Sequence, residues 1–343
     1  MARKGGNGKR GNNSYDNVPG GNQNSYYNYN SYYNVPDGGY DGPNGTYRHT
    51  GDRNSKKKKK KSHIGDVISI FVMIVAFCVF VFAGYMLYGY YKEYKKADDE
   101  YANLATYTTD EDETEDLDVL EEAVENDEVQ TISGREVKTV EVDEEEVTLP
   151  VMVNPIDFES LKSVNSDLVA WLKIRALDLS YPVVQGEDND YYLHRSFEQE
   201  ELFAGCLFVN YANSSDFTDQ NTIIYGHNMK NGSMFGSLKK FREEDVYEKS
   251  KYFWIFTEDI IYQYRIISAR VVEKVGQTYQ IDFTEEEFEE FLDTAMENSE
   301  VDNSNVSVTT EDKIVTLSTC TGDSSTRFVV QGKLVQMYAS KTE

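Results

Sequence analysis

A cysteine, a histidine and an arginine stand at the ends of β-branched runs, where they could together support acyl transfer through a thioester. Cys320 ends the run Ile314-Val-Thr-Leu-Ser-Thr-Cys320, and Arg327 opens the next run seven residues later. His227 follows the run Asn221-Thr-Ile-Ile-Tyr225. A cysteine attacks as thiolate, an imidazolium can stabilise that thiolate, and a guanidinium can bind the oxyanion that forms next. These residue types predict a cysteine-nucleophile site, with His227 as proton donor and acceptor.

Each of these residues also has an ordinary structural interpretation. Strand cysteines usually belong to a core, strand-end arginines to surface ion pairs, and lone histidines to structural hydrogen bonds. His194 is interpreted as structural, and His49 and His63 lie in the N-terminal tail and beside an apolar segment.

The other two cysteines are not expected to react. Cys78 lies in the apolar segment, and Cys206 is expected to be a buried strand residue, since free cysteine packs as a small hydrophobe. A Cys206–Cys320 disulfide remains an alternative that would consume the proposed nucleophile.

The segment from Val67 to Leu87 has the length of a membrane span. Its 21 residues carry no charge, and as a helix they would cover about 30 Å, the thickness of a hydrocarbon core. We therefore expect a single transmembrane helix over residues 64–91. Lys56–Lys61 precede the span and an acidic segment follows it, which favours a cytoplasmic N-terminus and an extracellular C-terminal part.

Composition divides the rest of the chain. Residues 1–63, rich in Tyr, Asn and Gly and carrying 12 Lys/Arg against 4 Asp/Glu, are expected to form a disordered cytoplasmic tail with a polylysine stretch. Residues 98–146 carry 2 Lys/Arg against 21 Asp/Glu. We interpret residues 92–146 as a solvated acidic extracellular stalk that is dispensable for chemistry. Residues 147–343 are expected to form the catalytic domain.

The sequence of residues 147–343 predicts a mainly β domain with short helices. Eight β-rich runs favour a small closed or nearly closed antiparallel barrel; they cover residues 168–174, 179–185, 205–210, 222–225, 251–256, 260–275, 313–319 and 328–337. Short helices are predicted at residues 157–165, 237–247 and 284–298, the last opening with the capping-box pattern Thr284-Glu-Glu-Glu287. The acidic balance, a net −26 for the chain, argues against nucleic-acid binding by this domain.

The motifs together resemble the sortases, the cysteine transpeptidases of Gram-positive cell surfaces, and among them class B. Thr316-Leu-Ser-Thr-Cys320 matches the family's strand end, and Arg327 its arginine on the next strand. Residues 221–241, with Tyr-Gly-His at 225–227, match a class B stretch. The likeness covers about residues 150–340. One departure is the loop Thr321–Thr326, which is shorter than in many class B enzymes.

The resemblance implies an eight-stranded sortase-type barrel that cleaves a C-terminal sorting signal after threonine. The acyl group would pass to an amine of a peptidoglycan precursor or cross-bridge. Cys320, His227 and Arg327 would be catalytic, and Ser318 and Thr319 would help shape the peptide groove. The chemistry requires no cofactor and no metal. Three alternatives remain open: a pilin polymerase with a lysine acceptor, a hydrolytic cysteine protease, and a catalytically idle surface scaffold on the same barrel.

Overall fold

The computed structural model describes residues 63–108, 117–125 and 135–342. The predicted tail therefore lies outside the described residues except for His63, as does the acidic run Asp110–Asp116.

The apolar segment lies in one long helix, α1 (His63–Leu104). The helix is long and apolar enough to cross a membrane, and the side chains of its apolar part are exposed. It continues without a break past the predicted span. Its last turns contact the domain, where Ala97 and Leu104 are buried.

A second helix, α2 (Leu117–Glu125), also packs on the domain through Leu117 and Leu120. The buried carboxylate of Glu121 accepts hydrogen bonds from Trp254 Nε1 at 2.9 Å and Ser250 Oγ at 2.8 Å. Helix α2 and the last turns of α1, residues 92–104, fall within the predicted solvated stalk. These helical segments are partly buried, whereas a solvated stalk would be exposed. Apolar side chains at helical spacing give an otherwise acidic segment one face that can be buried.

The end of the predicted stalk forms a hairpin of β1 (Val137–Val142) and β2 (Glu145–Val153). Its turn residues, Asp143 and Glu144, have φ of 53° and 64°, the left-handed geometry that suits a two-residue hairpin turn. In β2 the apolar Val147, Leu149 and Val151 recur at every second position, a strand pattern that explains why the end of this acidic stretch forms a hairpin.

Eight further strands form the barrel. They are β3 (Leu168–Ile174), β4 (Leu179–Val184), β5 (Leu207–Val209), β6 (Asn221–Tyr225), β7 (Tyr252–Phe256), β8 (Ile260–Glu273), β9 (Ile314–Cys320) and β10 (Thr326–Lys341). They pair in the order β10-β8-β7-β3-β4-β5-β6-β9, and β9 pairs with β10 to close the ring. Strand β2 is not one of these eight; it pairs in parallel with the last residues of β10. The predicted eight-stranded barrel is confirmed.

The barrel is mixed, so the expectation of an antiparallel one is wrong. Strands β4 and β5 pair in parallel, and so do β6 and β9. Parallel neighbours require long crossover connections. The chain supplies one between β6 and β9 through more than 80 residues, which include β7, β8 and the helices between them.

Short helices lie between the strands. Helix α3 (Phe158–Val164) begins at Asp157, whose carboxylate accepts from Ser160 N at 3.0 Å. A 3-10 helix (Phe235–Arg242) leads into α4 (Glu244–Tyr247). Helix α5 (Glu285–Glu297) starts with the predicted capping box of Thr284 and Glu287.

Aromatic rings fill the barrel around Gly332 of β10. The rings of Phe253 and Tyr264 stack with centroids 5.1 Å apart. A Cβ atom added at Gly332 would lie 2.4 Å from Phe253 Cε1 and 3.1 Å from Tyr264 Cβ. A side chain at this position would therefore collide with the stacked pair.

We expect Gly332→Ala to lower the free energy of unfolding by about 1–3 kcal/mol, the usual cost of overpacking a close-packed core. Chemical denaturation of the full chain in detergent measures it. Combining the change with Phe253→Leu, which removes the colliding ring, should recover part of the loss. Strict additivity of the two substitutions would show that the collision does not occur.

Candidate active site

The parallel pairing of β6 and β9 brings His227 and Cys320 to one rim of the barrel. Tyr225, the last residue of β6, pairs with Ser318, and Gly226 N donates to Ser318 O at 3.1 Å. His227 follows directly, and Cys320 ends β9 two residues beyond Ser318. Because parallel strands end at the same edge of a sheet, a histidine and a cysteine 93 positions apart share this rim.

The antiparallel pairing of β9 with β10 adds Arg327. This residue lies directly opposite Cys320 in the register, so both side chains leave the same face of the ladder. The short connecting loop is held by Asp323, whose carboxylate accepts from Ser325 N at 2.8 Å. The guanidinium donates to Thr326 O at 2.8 Å. Arg327 therefore lies at the rim, across from the cysteine.

These side chains open into one cleft of about 450 Å³. All five predicted site residues line it. The lining residues are Asn189, Leu193, Phe208, Tyr225, Gly226, His227, Lys274, Val275, Gly276, Tyr279, Ser318, Thr319, Cys320 and Arg327.

Contacts to backbone oxygens fix the His227 imidazole and its loop. His227 Nε2 lies 2.6 Å from Leu193 O. A carbonyl oxygen only accepts, so Nε2 carries the proton, and the neutral ring keeps its free lone pair on Nδ1. The next residue, Asn228, donates its Nδ2 to Cys320 O at 2.7 Å, which ties the histidine loop to the cysteine strand.

Burial favours the neutral form of this ring. Desolvation lowers the pKa of His227 below its ordinary value, the Leu193 hydrogen bond raises it, and the nearby His194 lowers it further. The rings of His194 and Phe203 stack on His227 at centroid distances of 5.7 and 6.0 Å. His194 is exposed and stacks on His227, and its interpretation as a structural residue stays a prediction. Desolvation therefore opposes the imidazolium that would stabilise a Cys320 thiolate.

The thiol predicted to be the nucleophile is separate from the core thiol. Cys320 is exposed and free, and Cys206 is buried and free, so the alternative of a disulfide between them is wrong. Burial raises the pKa of Cys206 to about 12, which keeps it a thiol at neutral pH. It fills core space, as the sequence predicts.

Several cleft residues were not among the predicted set. Tyr279 Oη and Ser318 Oγ are 2.8 Å apart, and the loop that carries Tyr279 is fastened by the buried Asn221. Asn221 Nδ2 donates to Thr278 O at 3.1 Å and to Gln280 O at 2.8 Å. Strand alternation could have found Tyr225, two positions before His227. No local pattern marks Tyr279 or Asn221.

We expect the pKa of His227 to lie below 6.5, its ordinary value, because the ring is desolvated. Phe203→Ala removes a stacked ring, admits water and should raise this pKa; Val164→Ala, an exposed change on α3, should leave it unchanged. NMR titration of labelled histidine in the full chain measures both. Since the folded pKa is depressed, the stability contributed by neutral His227 is present above its unfolded pKa and is lost as pH falls through the folded value.

A parental pKa at or above 6.5 would show that desolvation does not control this ring. An equal shift in Val164→Ala would show that the effect of Phe203→Ala is not local.

Comparison with known proteins places this site in a family. Residues 172–335 match the sortase domain model. The chain is 40% identical over 185 residues to sortase B of Listeria monocytogenes, which covers 52% of this chain and 74% of that protein. The Staphylococcus aureus sortase B–substrate complex aligns with a TM-score of 0.53 and 28% identity, covering 71% of this chain and 99% of that one. A sortase B complexed with triglycine aligns with a TM-score of 0.50 and 34% identity, covering 52% of this chain and 85% of that one.

The match spans most of a curated relative at well over a third identity, and the solved sortase B structures share the closed eight-stranded barrel. By sequence and by fold, the chain belongs to the sortase family of cysteine transpeptidases, and within it to class B.

Proposed function

We propose that this sortase is anchored in the membrane, cleaves a C-terminal sorting signal after threonine and transfers the acyl group to an amine of peptidoglycan. The observation that carries the proposal is the single cleft that Cys320, His227 and Arg327 line together.

The first step forms a thioester on Cys320. The free lone pair of His227 Nδ1 accepts the thiol proton, and Sγ attacks the carbonyl carbon of the threonine. The C–N bond of the peptide breaks, and the imidazolium gives its proton to the leaving amine. In the second step an incoming amine loses its proton to the imidazole and displaces the thiol. A buried neutral histidine suits both steps, since it accepts and returns one proton in each.

Arg327 stabilises the tetrahedral oxyanion in both steps. Its guanidinium stays charged at any physiological pH and offers several N–H donors. Its backbone partner across the ladder is Cys320, so the charge stands on the side of the nucleophile. The hydrogen bond to Thr326 O limits the freedom of the side chain before substrate binds.

The cleft suits an extended peptide with apolar groups. Tyr225, Tyr279 and Leu193 supply apolar and aromatic walls, and Ser318 with Thr319 forms the floor beside the nucleophile. We expect a signal resembling Asn-Pro-x-Thr-Asn or a Pro-x-Thr-Gly variant. The solved substrate complex of the Staphylococcus aureus relative supports a peptide donor.

An amine acceptor is supported by the related sortase B that was solved with triglycine. We propose an amine of a peptidoglycan precursor or cross-bridge as the acceptor here. The same cleft could serve a lysine amine of a pilin or water, and the products distinguish these cases.

Mass spectrometry of the full chain incubated with candidate sorting peptides and amines tests the chemistry. We expect an acyl adduct on Cys320 and, with amine present, a transpeptidation product. Cys320→Ala should abolish both. Arg327→Lys keeps the charge but loses the planar fork, and should lower the rate by about 10²–10³, as for loss of one oxyanion donor. His227→Ala should be at least as damaging.

Cys206→Ala is the matched control, because it removes the other thiol of the domain and should leave turnover intact. Parental rates in both Arg327→Lys and His227→Ala would contradict the proposed thioester mechanism. A product formed only with water would assign a hydrolase instead of a transferase.

The orientation of α1 can be tested on intact cells. The lysines Lys56–Lys61 before the span favour an inside N-terminus. Protease added outside should therefore remove the domain and spare an N-terminal epitope tag, and permeabilised cells serve as the control. A tag accessible from outside would reverse the proposed orientation.

A further inference from the structure

The last turns of α1 hold the loop that precedes β5. Lys96 Nζ donates to Glu200 Oε2 at 2.8 Å and to Glu201 O at 3.3 Å. Tyr101 Oη donates to Gly205 O at 2.6 Å. The helix therefore fastens residues 200–205 at both ends.

The same loop supports the contacts of His227. Gly205 has φ of +59°, and a Cβ atom there would lie 2.6 Å from Leu193 O. That carbonyl accepts the hydrogen bond from His227 Nε2. Phe203, in the middle of the loop, stacks on the imidazole. A short path thus runs from Tyr101 through the Gly205 backbone and the Leu193 carbonyl to the ring.

A second contact reaches the histidine loop itself. Asn231, four residues after His227, donates its Nδ2 to Asp98 Oδ1 at 3.3 Å. Helix α1 therefore contacts the support of the imidazole on one side and the segment that carries it on the other. Both contacts lie about 15–20 Å along the helix from Leu87, the end of the uncharged segment, at roughly 1.5 Å per residue.

We propose that the end of α1 is part of the active-site support, and that Tyr101 is a positioning residue for His227. By holding Gly205 against Leu193, the phenol keeps the Leu193 carbonyl in place. That carbonyl selects the tautomer with its proton on Nε2 and leaves Nδ1 free to take the thiol proton. The inference rests on the proposed role of His227, and it assigns a catalytic purpose to a segment whose composition indicates only a spacer.

A purely structural role for Tyr101 would show itself differently. Loss of packing would lower the folded fraction and leave the rate per folded molecule unchanged. Loss of positioning lowers the rate per active site and changes the protonation pattern of the ring, with the fold intact.

The test compares Tyr101→Phe with Tyr94→Phe in the full chain in detergent. Both remove one phenolic oxygen from the same helix, and Tyr94 is also partly buried against the domain. We expect Tyr101→Phe to lower kcat for thioester formation about tenfold, the effect of one hydrogen bond. The KM for peptide should change less than about twofold, since Leu193 is the one wall residue on this path and Tyr225, Tyr279, Ser318 and Thr319 are untouched. Tyr94→Phe should match the parent.

The second readout needs no turnover. In ¹⁵N-labelled histidine spectra above the pKa of His227, the parent should show the proton on Nε2 alone, and Tyr101→Phe should show a population with the proton on Nδ1. Parental kcat and a parental tautomer in Tyr101→Phe would overturn the proposal. So would a loss of activity that disappears when rates are divided by the folded fraction.

Failure of the proposed function gives different results from failure of the Tyr101 proposal. If the parent chain forms no thioester, or if His227→Ala turns over at the parental rate, the role of His227 is wrong, while the tautomer experiment still reports whether Tyr101 positions the ring.

Discussion

The parallel pairing of β6 with β9 is the constraint on which the site depends. If the same strands paired antiparallel, the residues after β6 and at the end of β9 would lie at opposite rims. At about 3.3 Å per residue, five paired positions separate the rims by roughly 13–17 Å, too far for proton transfer. The antiparallel β9–β10 pair then brings Arg327 opposite Cys320. One parallel and one antiparallel ladder thus place Cys320, Arg327 and His227, which follows β6, at one rim.

The parallel ladder also explains the long connection between His227 and Cys320. A parallel neighbour cannot be reached by a tight turn, so the chain leaves the rim, builds β7 and β8 and returns. The returning segment includes the Tyr279 loop, which forms a wall of the cleft and is fastened to the start of β6 by Asn221. The wall is therefore attached to the strand that carries the histidine. The hydrogen bonds of Asn221 thus join the Tyr279 wall of the cleft to the strand that precedes His227.

How far the sequence predicts this arrangement depends on whether the signal is local. The eight barrel strands and the α5 capping box are predictable because β-branched runs and Thr284-x-x-Glu287 are local patterns. Strand neighbours are not local, so the two parallel pairs are missed, as are Tyr279 and Asn221. The trio of Cys320, His227 and Arg327 is reached through the family's motifs more than through the residues alone. In residues 92–146 the acidic composition hides a buried face formed by Leu104, Leu117 and Leu120.

The lowered pKa of His227, which favours the neutral ring, also affects how long the sulfur of Cys320 survives between substrates. Oxidation of cysteine begins from the thiolate, and exposure increases its rate. Cys320 is exposed, so burial cannot protect it. A neutral histidine adds no second cation to that of Arg327 to hold an anionic sulfur in the cleft. A permanently ionised pair would react faster with its first peptide, and it would lose its sulfur sooner to dissolved oxidants.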